Sequence, residues 1–245
     1  MFSADRARLA ALADEHSGLD PLSRARALCE LCLAATRVSG VGLSVADGRS
    51  RHLTSSVWGT DAVSMRLEEL QFGLAEGPII DALESTLPVL ESDLSDVSHR
   101  RWPWFAPAAV EAGAVAVFVL PLCAGGRCLA GERCLGALSL HRSSTGDLTV
   151  EQYDDFRDIA DAAMGLLRSV SPEAGEEPGG WTVGPGTRFQ PEIHQAVGVL
   201  MSALDLGADQ ALDRLRGHAF ATEQPINVVA RDIVSGRLRL ERDAD

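Results

Sequence analysis

Apolar residues recur along this chain at two different periods, and the change of period marks its elements. In IHQAVGVLMSALDL, Ile193, Ala196, Val197, Leu200, Met201 and Leu204 fall on one stripe of a helix. Pro191 and Glu192 suit its first turn, where proline forfeits no hydrogen bond and an acid meets the positive end of the helix dipole. A second helix, ADQALDRLRGHAFA, turns Ala211, Leu212, Leu215, Ala219 and Phe220 inward. A third begins at Pro225 and sets Ile226, Val229, Ala230, Ile233 and Val234 on one face before Gly236 ends it. Three such helices bury a shared core, and the alanines and glycines between them allow close approach.

Upstream the pattern mixes strands with helices. DPLSRARALCELCLAAT predicts a helix with Leu28, Leu31 and Cys32 near one face, followed by strands VGLSVA and SRHLTSSVW around the turn DGRS. MRLEELQFG reads as helical, EGPIIDALES starts another helix with Pro78 in its first turn, and PVLESDL is a short strand. AVAVFVLPL and CLGALSLHR are strand-length apolar runs, and LTVEQYDDFRDIADAAMGLLRSV is a long closing helix whose start carries the capping pair Thr149 and Gln152. These elements predict an α+β domain built on an antiparallel sheet over residues 1–170. The Gly, Pro and Glu stretch 171–187 is a linker that, as a flexible coil, spans roughly 20–25 Å. Residues 188–245 form the all-α module.

Composition narrows the function. With 46% hydrophobic and 23% charged residues, the chain is expected to be globular rather than disordered. The N-terminus lacks the apolar core of a signal peptide, and the longest apolar run, AVAVFVLPLCA, is too short to cross a bilayer. A cytoplasmic protein is therefore expected, without membrane contact. All 22 basic residues are arginines, and the net charge of -13 argues against bulk, non-specific nucleic-acid binding. The acidity is mainly N-terminal: residues 1–187 carry 15 arginines against 26 acids, residues 188–245 carry 7 against 9.

Candidate chemistry is sparse. Five cysteines without a secretion signal point to reduced thiols. One CELC pair at Cys29 and Cys32, with Cys123, Cys128 and Cys134 irregularly spaced around a glycine-rich hairpin loop, matches neither a zinc nor a common iron–sulfur spacing. Their ordinary reading is small apolar packing residues. The sharper one is a redox sensor at Cys123, Cys128 and Cys134, where Arg127 beside Cys128 favours thiolate. The chain has no P-loop, dinucleotide fingerprint, nucleophile elbow or HExxH, its histidines are scattered, and no metal site or cofactor is expected. The chain is read as a non-enzyme.

Two resemblances give these elements a meaning. GLAEGPIIDAL, ESDLSD, RRWPWFAPAAVEAGAVAVFVLPL and LGALSLHR resemble, in that order, a GAF domain of the actinobacterial kind over about residues 20–170. The resemblance implies a small-molecule sensor with its ligand between the sheet and the neighbouring helices and loops. By that resemblance Trp102, Trp104, Phe105 and Phe118 would wall the pocket, although core anchoring is the commoner role of aromatics. The same fold includes free-methionine-sulfoxide reductases that use loop cysteines, a minor enzymatic alternative.

The tail resembles an ANTAR domain, the three-helix RNA-binding module of bacterial antitermination regulators, over about residues 189–240. QAVGVLM and ALDRLRGHAFATEQPINVVARDIV carry its spaced elements in order. Val197 stands where many members have lysine, and Gly207 replaces the serine common at the start of the second helix. The resemblance implies binding to structured nascent RNA with paired hairpin loops, which calls for a homodimer, under control of a small-molecule or redox effector. Candidate RNA contacts are Gln195, Ala196, Gly198, Arg214, Arg216, Asn227 and Arg231, since arginine pairs with phosphate and stacks on unpaired bases. The competing reading is an adaptor whose near-neutral tail docks a protein partner.

Overall fold

Asp20 opens helix α1 (Pro21–Thr36) by accepting from the backbone N–H groups of Leu22 and Ser23 at 3.0 and 3.1 Å. In this computed structural model, the residues described are 20–46, 53–96, 101–123, 134–170 and 191–241. The turn DGRS, the hairpin loop with Cys128 and the linker 171–187 lie outside them. The chain divides into two compact units, Met1–Arg188 and Phe189–Asp245.

In the first unit, α1 is followed by β1 (Gly40–Ala46), β2 (Leu53–Gly59), α2 (Ala62–Leu74), α3 (Pro78–Ser85), β3 (Val89–Glu91), α4 (Phe105–Ala112), β4 (Ala116–Cys123), β5 (Cys134–Arg142) and α5 (Val150–Val170). The five strands make one antiparallel sheet in the order β2-β1-β5-β4-β3. This is the expected α+β class.

Strand alternation assigns the two faces of that sheet different work. Val41, Leu43, Ala116, Phe118, Leu120, Leu122, Leu138 and Leu140 point to one side, where α1 contributes Cys29 and Cys32 and α5 contributes Phe156, Ile159, Ala163 and Leu167. The other side is covered by α2, over β1 and β2, and α3, over β3, β4 and β5. With both faces covered, β4 is buried at every residue, so it reads as a continuous apolar run instead of an alternating one.

The capping pair forms as read from the sequence. Thr149 N–H donates to Gln152 Oε1 at 2.9 Å, and Gln152 N–H donates to Thr149 Oγ1 at 3.2 Å. Gln152 goes further than capping: its Nε2 donates to Thr36 O at 2.6 Å, tying the start of α5 to the end of α1.

The second unit contains α6 (Pro191–Leu204), α7 (Ala208–Ala221) and α8 (Ile226–Val234), each in contact with the other two. Its core is Ile193, Ala196, Leu200, Leu204, Ala211, Leu215, Ala219, Ile226, Val229, Ala230 and Ile233. Met201, Phe220 and Val234, expected inward, are 38%, 52% and 41% exposed. They sit at the margins of their stripes, which three short helices leave uncovered.

Candidate functional site

β1 and β5 pair so that Gly40 faces His141 and Gly42 faces Ser139. Period-two alternation then puts Gly40, Gly42, Ser44, Ser139 and His141 on the side of the sheet opposite the apolar cluster. α2 crosses this side and brings Ser64, Glu68 and Gln71 inward along its buried stripe. The two glycines make room. A Cβ on Gly42 would stand 2.7 Å from both Glu68 Oε1 and Ser139 Oγ, and one on Gly40 would stand 2.2 Å from His141 Nε2.

Glu68 is the centre of this polar layer. Only 1% of it is exposed. Ser44 Oγ donates to Glu68 Oε2, and Ser139 Oγ lies 3.1 Å from Oε1 and 3.3 Å from the carbonyl oxygen of Gly42. A serine has one proton to donate and the Gly42 oxygen can only accept, so a protonated Glu68 completes the set by donating to Ser139. Burial pushes the Glu68 carboxyl up to about 7 against the lowering by the two serines.

Beside it, His141 Nε2 is 3.2 Å from both carboxylate oxygens of Asp61. Asp61 also caps α2, accepting from Ser64 N–H at 2.7 Å. Burial raises the Asp61 carboxyl, but the hydrogen bonds from Ser64 and the adjacent His141 outweigh it and hold the group below the usual range. His141 is 2% exposed, and its Nδ1 is buried with no hydrogen-bond partner among the described residues. A buried, unpaired ring nitrogen next to a carboxylate and two glycines is where a small polar molecule or water would bond. None of this layer was singled out from the sequence.

The four aromatics read as pocket walls do not converge on one cavity. Trp102 and Phe105 are buried and touch edge to face at 6.2 Å. Trp102 Nε1 donates to Asp81 at 3.1 Å, and the backbone N–H groups of Trp104 and Phe105 donate to Glu76 at 2.9 Å each. Acids from α3 and the turn before it thus anchor this segment and start α4. Trp104 is 59% exposed. Phe118 points to the opposite side of the sheet, among the residues under α1 and α5. A groove of about 370 Å³ between α2 and α4 is lined by Ala62, Val63, Arg66, Ala108, Glu111 and Ala112, and includes none of the four.

The cysteines separate into two groups. Cys29 and Cys32 are fully buried core residues, and burial pushes the Cys32 thiol up to about 12 and that of Cys29 well above its usual value. Such thiols are inert. Cys123 and Cys134 are register partners at the neck of the β4–β5 hairpin, with their sulfurs 2.9 Å apart. The antiparallel hairpin brings sulfurs together that sequence spacing alone leaves apart. Among the described residues no group of three His, Cys, Asp or Glu is placed to hold a metal ion.

The helical unit presents part of its candidate set to solvent. Gln195, Gly198 and Arg231 are exposed. Arg214 is half-buried, with Nη2 donating to Glu241 O at 3.0 Å. Ala196 is fully buried and Arg216 is 7% exposed, 3.5 Å from Asp213, so both serve packing in this arrangement. Burial lowers the Arg216 guanidinium despite Asp213 and Asp209. Asn227 is half-buried, its Oδ1 without a partner among the described residues. Gly207 N–H donates to Gln210 Oε1 at 3.1 Å, so α7 is capped from its third residue without the missing serine.

An α+β unit on an antiparallel sheet, followed by a three-helix unit, is the class of architecture these observations define. Residues 189–234 match the family described as ANTAR domain, and the chain carries an ANTAR domain there. No curated protein sequence matches the chain. Solved structures similar to it include the GAF domain of an Acinetobacter phosphoenolpyruvate-protein phosphotransferase, at 12% identity and TM-score 0.47 over 69% of this chain and 96% of that one. A GAF domain region from Geobacter sulfurreducens PCA has 14% identity and TM-score 0.49 over 62% and 96%. A free methionine-R-sulfoxide reductase from Neisseria meningitidis, in complex with its substrate, has 15% identity and TM-score 0.45 over 66% and 84%. No described helix is long and apolar enough to cross a membrane.

Proposed function

We propose that this chain is a cytoplasmic regulator whose GAF-like unit senses a small molecule or redox state and whose ANTAR domain binds paired hairpin loops in nascent RNA, promoting transcription antitermination. The ANTAR match at residues 189–234 is the observation that carries the reading. Exposure of Gln195, Gly198 and Arg231 supports it, since these leave polar and small positions open to a loop. With 7 arginines against 9 acids in this region, recognition relies on stacking and loop shape more than on bulk charge. Two loops call for two modules, so the working form is a homodimer.

The sensor site is the polar layer of Ser44, Asp61, Ser64, Glu68, Ser139 and His141, in place of the aromatic set. A ligand there shifts RNA affinity only through its differential binding to two arrangements of the protein. The chain performs no turnover in this reading, and incubation with free methionine sulfoxide and a dithiol leaves the sulfoxide unchanged.

The test is binding to an RNA carrying two adjacent hexanucleotide-loop hairpins, beside a loop-scrambled control. Loop-dependent binding supports the reading. The adaptor reading draws on Val199, Met201, Phe220 and Val234, exposed apolar residues of the helical unit. It predicts equal, weak binding to both RNAs.

A further inference from the structure

Helix α2 lays a mostly polar face on the sheet. Of its buried residues Ser64, Leu67, Glu68, Gln71 and Phe72, only Leu67 and Phe72 are apolar, so little apolar area holds it down. None of its residues belongs to the apolar cluster that α1 and α5 seal on the other side. Glu68 is nevertheless 1% exposed, and the space around it is full: a Cβ on Gly42 would stand 2.7 Å from both Glu68 Oε1 and Ser139 Oγ. Ser139 has one proton for two acceptors, Glu68 Oε1 at 3.1 Å and the Gly42 oxygen at 3.3 Å. A neutral carboxyl closes the set by donating to Ser139. A carboxylate leaves an acceptor short of a donor, in a place that water enters only if α2 lifts.

The surrounding charges do not offset that loss. β1 and β2 carry no ionisable residue, and β4 adds only Cys123, at the hairpin neck with Cys134. On β5, His141 is turned to Asp61, and Arg142 lies over the Phe118 ring on the other side of the sheet. Arg66 and Glu69 of α2 pair with each other at 3.6 Å. Asp81 of α3 is held by Arg101 and Trp102, while Glu84 of α3 and Glu111 of α4 are exposed. Across the sheet, Cys29 of α1 is a buried thiol.

We propose that Glu68 is a proton-operated latch: protonated, it fastens α2 to β1 and β5 through Ser44 and Ser139, and loss of its proton to water releases α2 while the α1–α5 side stays packed. Only the carboxyl O–H bond breaks in this step. Burial pushes the carboxyl of the fastened helix up to about 7, against 4.5 for an exposed one, so the latch works around neutral pH. Release uncovers the polar layer, including the unpartnered Nδ1 of His141, and the proton thereby controls access to the proposed sensor site. The latch rests on that reading for its use, but its test involves neither ligand nor RNA, so either can fail alone.

The test is amide hydrogen exchange of the full chain read by mass spectrometry from about pH 5 to about pH 8, with rates corrected for the intrinsic effect of pH. Peptides covering α2 (62–74) are compared with peptides covering β4 (116–123), in the wild type and in Glu68→Gln, whose side chain keeps the neutral shape at every pH. The expected result is that α2 exchanges ahead of β4 in the wild type. Its rate relative to Glu68→Gln rises about tenfold per pH unit between about 5 and about 7 and levels off above. Exchange of α2 and β4 at one common rate overturns the proposal, because α2 then opens only with the whole unit. A wild-type to variant ratio for α2 that does not change with pH overturns it as well. If Glu68→Gln fails to fold, the wild type decides alone: α2 exchange that stays constant over this range after correction overturns the latch.

Discussion

Replacing Glu68 with glutamine separates a stabilising carboxylate from one that burial holds in its neutral form. The unfolded chain releases this proton near 4.5, whereas the folded chain keeps it up to about 7. Between those values the native state binds more protons than the unfolded state, so stability falls as pH rises, and above about 7 the penalty is constant. At about 1.4 kcal/mol for each pH unit between them, the penalty is on the order of 3 kcal/mol. Glutamine has the shape of the neutral acid: its oxygen accepts from Ser44, and its amide donates to Ser139, which donates to Gly42 O. Glu68→Gln is therefore expected to match the wild type near pH 4.5 and to exceed it by about 2–3 kcal/mol at pH 8. Urea unfolding followed by tryptophan fluorescence at both pH values reads the difference. Asp61 works in the opposite direction, its contribution being lost only as pH falls below the usual carboxylate value of 3.8, outside this window. A variant equally destabilised at pH 4.5 and pH 8 would refute the reasoning, because it would mean an ionised Glu68 that the fold needs.

Two further comparisons probe the packing. Gly136→Ala would set a Cβ 2.1 Å from the backbone oxygen of Ser44 on the adjoining strand, and is expected to cost about 3 kcal/mol or more in urea unfolding. Gly165→Ala, in α5 with nothing within 4 Å, should stabilise by about 0.5–1 kcal/mol in the same assay. Trp102→Ala removes a buried ring and its bond to Asp81 and is expected to lose about 3–5 kcal/mol, whereas Trp104→Ala changes stability by less than about 0.5 kcal/mol. Equal losses at the two tryptophans would contradict the anchoring role given to this segment.

The strands, the long closing helix and the tail helices were legible because local rules specify them: apolar runs at β4 and β5, the Thr149–Gln152 box, and the 3.6-residue stripe from Ile193. Helix α4 was not, because the acid that starts it is Glu76, some thirty residues away in sequence. The polar layer was hidden for a related reason. Ser44, Ser139 and His141 alternate with apolar neighbours as solvent-facing residues do, and only the position of α2 shows that this face is buried. Likewise Glu68 and Glu69 are adjacent and chemically alike, yet Glu68 is buried while Glu69 is not. Periodicity also overstated the helical core, since Phe220 and Val234 lie on the apolar stripes and yet are exposed.

The most direct test of the account is the affinity of the full-length protein for the double-hairpin RNA, measured across a salt series with wild-type protein and with Arg231→Ala. Arg231 is exposed, so its removal is expected to leave the fold unchanged while deleting the RNA contact proposed for it. The account predicts loop-dependent binding, weakened about tenfold in the variant, in line with roughly 1–3 kcal/mol for such a contact. Equal affinity for intact and scrambled loops, unaffected by Arg231→Ala, would contradict it.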